Sequence, residues 1–154
     1  MKYILVLILL CLPIMALQVW AACPQFITGQ QIGTVESVSI DEASGITASR
    51  MNPDVLWVHN DSGDTARVYA MNTAGDHLGI YSLGGASATD WEDIAIGPGP
   101  VDNLDYLYCG DIGDNSAVRS NITVYRVVEP QVDANQLSVT KTLTDVNAIR
   151  LQYP

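Results

Sequence analysis

The sequence predicts an all-β fold made of repeated four-stranded units, and three observations carry that expectation. Short β-type runs recur along the chain, at residues 33–40, 55–59, 67–71, 78–83, 93–96, 106–109, 122–128 and 148–153, with turn residues between them. Several of these runs alternate apolar with polar positions, as half-buried strands do. No stretch after residue 22 keeps an amphipathic helical period. Residues 135–143 carry a weak helical turn signal, and Val139 and Thr140 count against it.

The third observation is internal repetition. Asp61-Ser62-Gly63-Asp64 returns as Asp111-Ile112-Gly113-Asp114, an offset of 50, each copy following an aromatic-rich strand. Upstream, Glu42-Ala43-Ser44-Gly45-Ile46 is answered by Trp91-Glu92-Asp93-Ile94-Ala95, with Ile46 and Ile94 48 apart. Downstream, Val68-Tyr69 returns as Val124-Tyr125, 56 apart. Three landmarks in one order define a unit of four strands: an acidic entry strand A, an aromatic strand B ending in Asp-x-Gly-Asp, a strand C carrying Val-Tyr, and a closing strand D.

Four-stranded units at this period are what β-propeller blades look like. The expectation is a partial propeller over residues 23–154, with blade one at about 41–86 and blade two at about 87–154. The run 33–40 reads as an orphan strand D that would close a distant blade. A sandwich of irregular hairpins is the alternative architecture. Two blades cannot close a ring, since propellers have about four to eight. Either copies assemble, or the chain is the front part of a longer protein, and its open strand edges and uncovered blade faces favour self-association.

The first 22 residues read as a secretory signal peptide: Lys2, an apolar run over residues 4–17, then small residues at Ala21 and Ala22. That run is shorter than the roughly 20 residues a membrane-spanning helix needs, so no transmembrane segment is expected after its removal. The expected location is secreted or periplasmic. Cys23 follows the small residues, where a lipoprotein cysteine would sit, so lipid anchorage through Cys23 and a Cys23–Cys109 bridge stand beside unpaired thiols as readings.

Charge narrows the partners. The whole chain has 7 basic and 17 acidic residues, a net charge of −10; without Lys2 it is −11. Nucleic acid is excluded as a partner because no basic footprint exists, and a cation or small molecule is favoured. In a propeller, the D-to-A loops and the B-to-C turns share one face of the disc. The acids then gather there: Glu42, Asp90, Glu92 and Asp93 from the entries, and Asp61, Asp64, Asp111, Asp114 and Asn115 from the turns. Carboxylates so gathered repel one another unless a cation sits among them. Hard oxygen donors without a Cys/His cluster suit calcium, and magnesium less well. Asp-x-Gly-Asp is equally good turn chemistry, which is the plainer reading of a single copy.

Other candidates are weaker. His59, at the end of strand B, is the one candidate general base; a structural histidine is the plainer reading. No Gly-x-Ser-x-Gly elbow and no EF-hand spacing occur. Trp57 and Trp91 read as packing between blades.

Together the strings Glu-Ala-Ser-Gly-Ile (42–46), Leu-Trp-Val-His-Asn-Asp-Ser-Gly-Asp (56–64), Asp-Trp-Glu-Asp-Ile-Ala (90–95), Tyr-Leu-Tyr-Cys-Gly-Asp-Ile-Gly-Asp-Asn (106–115) and Val-Tyr-Arg-Val (124–127) resemble a group of exported bacterial β-propeller proteins, most without an assigned activity. More distantly, the acidic blade entries are similar to those of calcium-binding phytase-like and lactonase-like propellers, although neither active-site pattern is complete here. The resemblance implies a propeller that continues into further blades and a calcium on the acidic face. Two function classes follow. One is a non-catalytic ligand-binding or structural module; the alternative is a divalent-cation-dependent hydrolase of small phosphate or carboxylic esters.

Overall fold

The computed structural model describes residues 25–153; the expected signal peptide and Cys23 lie outside them. Residues 25–30 carry no helix or strand. From residue 31 onward the fold is all-β, with nine strands among the described residues. They are β1 (Ala43–Ala48), β2 (Val55–Asn60), β3 (Arg67–Asn72), β4 (His77–Leu83), β5 (Trp91–Pro98), β6 (Asp105–Asp111), β7 (Asn121–Val128), β8 (Val139–Leu143) and β9 (Asn147–Gln152). Among the described residues no helix is long and apolar enough to cross a membrane.

Two sheets form, ordered β1-β2-β3-β4-β8 and β5-β6-β7-β9. Each begins as an antiparallel meander, and the first strands of the two sheets, β1 and β5, lie against each other. This is the arrangement expected of two consecutive propeller-type blades. The repeat extends to a detail of register: one extra residue bulges out of β1 between Ala43 and Gly45, and one out of β5 between Trp91 and Asp93. Those extra residues, Ser44 and Glu92, occupy the same repeat position. A bulge at a strand entry re-aims its side chain, and here it brings Glu92 to the end of the sheet where the turns lie.

Period-two alternation builds the core. Thr123, Tyr125 and Val127 of β7 are buried, while the positions between them are less so. Tyr125 and Val127 join Ile94, Leu107 and Cys109 of the second sheet against Val55, Trp57, Val68, Ala70 and Tyr81 of the first. Trp57 meets Tyr81 edge-on at 5.2 Å, and Trp91 lies 6.0 Å from Tyr125. Both tryptophans are packing residues, each against an aromatic of its own sheet, and Trp91 also reaches across to His59 of the first sheet at 5.6 Å. Cys109 is a fully buried free thiol, and burial pushes its pKa well above the usual value.

Two segments differ from expectation. Residues 33–40 form no strand; the segment runs along the β3–β4 turn instead, with the Thr34 N–H donating to the Ala74 carbonyl at 3.2 Å and the Glu36 N–H to Gly75 at 3.0 Å. Gly75 has a φ of 97°, which only glycine adopts cheaply, and a methyl there would meet the Thr34 carbonyl oxygen at 2.2 Å. Residues 135–143 form no helix, as Val139 and Thr140 argued; what the repeat did not suggest is that residues 139–143 become β8, which pairs in parallel with β4 of the first sheet before the chain returns to the second sheet as β9. The second repeat therefore lends a strand to the first sheet.

Glu129 fastens that crossover. Its carboxylate is 2 % exposed and accepts from the Trp57 indole N–H (2.9 Å), the Met51 N–H (3.1 Å), the Asn52 amide (3.4 Å) and the Ser49 hydroxyl. The end of β7 is thereby tied to the β1–β2 turn of the other sheet.

Candidate acidic site between the two sheets

The acid-bearing loops do share one end of the molecule, because β2 and β6 end there and the β4–β5 connection returns there. Of the nine residues expected to face a cation, three converge. Asp61 from the β2–β3 turn, Asp90 from the β4–β5 loop and Glu92 from the β5 bulge place carboxylate oxygens within 4.8 Å of one another. Asp61 is fixed by its own N–H, which donates to the Glu42 carbonyl at 2.9 Å.

Asp90 is the most constrained of the three. Its N–H donates to Asp111 Oδ1 at 3.0 Å, and its carbonyl accepts from Ile112 (3.1 Å) and Gly113 (3.0 Å). Its side chain is 8 % exposed, Oδ2 accepts a long bond from Asn115 at 3.5 Å, and Oδ1 is buried with no partner. A buried carboxylate oxygen without a donor is costly unless something else supplies positive charge. Space is reserved beside it: a methyl on Gly113 would lie 2.4 Å from Asp90 Oδ2 and 2.5 Å from Glu92 Oε1.

The remaining expected ligands are not brought into this group. Asp64 is taken by Arg67 (2.6 Å), the Tyr69 hydroxyl (3.0 Å) and the Asn60 amide (3.1 Å). Burial works to raise the Asp64 pKa, but Arg67, the Thr65 N–H and Tyr69 outweigh it and hold it below the usual carboxylate value. Asp111, nearly fully buried, is paired with Arg119 at 2.8 Å. Asp114 caps its own loop by accepting from the Val118 and Arg119 N–H groups (3.0 and 2.7 Å), and those bonds lower its pKa. Asp93 accepts from the Ile94 N–H beside it at 2.8 Å, and Glu42 is exposed outside the cluster. Asn115 touches the site only as a donor to Asp90.

His59 does not reach solvent. Its ring is 0 % exposed, stacked edge-on against Trp91 at 5.6 Å, with Nδ1 2.8 Å from the Asn60 carbonyl and Nε2 against Gly45. This is the placement of a packed structural histidine.

Sequence reasoning missed Gly113 and Arg119. The signal existed for both: Gly113 repeats Gly63 at an offset of 50, and Arg119 follows Arg67 at an offset of 52. Comparison with known proteins finds no matching family model, curated protein or solved structure.

Proposed function

We propose that this chain is an exported propeller-type module that holds calcium between its two sheets, at Asp61, Asp90 and Glu92, and acts by binding rather than by catalysis. The observation that carries this reading is Asp90: a carboxylate oxygen buried without a donor, next to two further carboxylates. The donor set fits the ion. Only oxygens are offered, and donors within 4.8 Å of one another can each reach a shared calcium at roughly 2.3–2.6 Å. Asp61 comes from one sheet's turn and Glu92 from the other sheet's first strand, so a bound ion would join the two. The sealed ring of His59 supports binding over hydrolysis, since no histidine is placed to move a proton at this group.

Terbium luminescence tests the proposal. Terbium takes calcium's oxygen ligands, and Trp91 stands between two of the proposed ligands in the chain. Excitation of tryptophan is expected to give terbium emission that calcium displaces and that Asp90→Asn abolishes. Emission unchanged by Asp90→Asn would overturn the assignment.

A further inference from the structure

Arg119 is bonded to residues that border the proposed ion site, and its contacts suggest a role that the turn geometry alone does not require. Its Nη1 donates to Asp111 Oδ1 at 2.8 Å and to the Gly113 carbonyl at 2.9 Å. Asp111 Oδ1 also accepts the N–H of Asp90 at 3.0 Å, and Gly113 lies directly against the Asp90 and Glu92 carboxylates. The guanidinium is therefore one residue removed from two proposed ligands by two separate routes. Its side chain is 17 % exposed and that of Asp111 is 3 %, so water screens the pair only weakly.

The first repeat shows that this pairing is a choice. There Arg67 binds the second aspartate of the motif, Asp64, and not the first, Asp61, whose Oδ1 accepts the Ser62 N–H and whose carboxylate joins the cluster. In the second repeat Arg119 binds the first aspartate, Asp111, and the second caps the loop. Without Arg119, Asp111 would stand beside Asp90 as a fourth carboxylate with no cationic partner.

We infer that Arg119 is a tethered counter-ion that keeps Asp111 out of the ion's coordination sphere and so sets how strongly Asp61, Asp90 and Glu92 bind a divalent cation; the inference rests on the ion-site reading above. Arg119 acts through Asp111 and is a positioning residue, not a ligand. With it, the five groups carry three net negative charges instead of four. Binding is thereby weakened toward the range of about 10⁻⁴–10⁻³ M that suits extracellular calcium modules.

The two members of the pair give opposite outcomes, which a merely structural role would not. Calcium titration calorimetry on the full chain is expected to show Arg119→Gln binding about tenfold tighter than the unaltered protein and Asp111→Asn about tenfold weaker, because one removes a positive charge beside the ion and the other leaves that charge unpaired. Arg119→Lys, which keeps the charge, should stay near the unaltered affinity. Circular dichroism checks that each variant keeps its sheets. Equal or weaker binding by Arg119→Gln, or equal or tighter binding by Asp111→Asn, overturns the inference. Should Arg119→Gln not fold, weakening by Asp111→Asn with no change in Arg119→Lys decides the matter, and any other pattern overturns it. If the unaltered protein binds calcium and the variants match it, only this inference fails. If the unaltered protein binds none while Arg119→Gln does, the ion reading of the natural chain fails and the role of Arg119 stands.

Discussion

Asp90 and Glu129 are both buried acids on connections that join the two sheets, yet their surroundings are opposite. Glu129 receives four donors, from the Trp57 indole, the Met51 N–H, Asn52 and Ser49. Asp90 receives one long bond on Oδ2 and none on Oδ1, with Asp61 and Glu92 adding negative charge nearby. A carboxylate saturated by the protein's own donors needs nothing further and serves the fold. One left short, with more acids beside it, is where a cation from outside would fit. Burial alone does not separate the two; the count of donors does.

The largest expected effect breaks the saturated side. Glu129→Ala leaves the Trp57 indole and the Met51 N–H unpaired and should cost about 4 kcal/mol in urea unfolding, with no recovery on adding calcium. Recovery by calcium would mean that Glu129 also belongs to the ion site. On the other side, removing an acid should matter only through the ion. For Asp61→Asn, stability in chelator is expected to match the unaltered protein, while the gain of about 2.7 kcal/mol that calcium supplies at a hundred times its Kd is lost. Gly113→Ala sharpens the contrast further. Its methyl would push on Asp90 and Glu92, so calcium affinity should fall about tenfold, worth ~1.4 kcal/mol, and a larger fall in chelator-state stability would show that Gly113 serves the backbone instead.

The smallest effect concerns pH. Asp64 has a folded pKa below its ordinary 3.8, so its contribution is present above that value and is lost as pH falls through the lowered folded one. Thermal melts between about pH 5 and 2 should therefore show a steeper acid loss in the unaltered protein than in Asp64→Asn. Equal slopes would remove Asp64 from the acid-sensitive set.

Much of this was legible in the sequence because repetition is a property of strings. The order of entry, turn and Val-Tyr strand located the sheets, and blade geometry put Asp61, Asp90 and Glu92 on one end together. What the letters did not carry is donor allocation. Asp61 and Asp111 occupy identical motif positions, and only the different reach of Arg67 and Arg119 separates a proposed ligand from a paired acid. The crossing of β8 to the first sheet was hidden for another reason. Val139 to Leu143 is mostly exposed, so no alternation marks it, and its partner β4 lies in the other repeat. The leading segment misled because its pattern suits a strand, while its Thr34 and Glu36 N–H groups bond to the β3–β4 turn rather than to a strand.

A crystal grown with calcium and measured for anomalous scattering tests the central claim most directly. The account predicts a single strong peak at about 2.3–2.6 Å from oxygens of Asp61, Asp90 and Glu92, with Arg119 still on Asp111. A peak elsewhere, or none there with a water donating to Asp90 Oδ1, would contradict it.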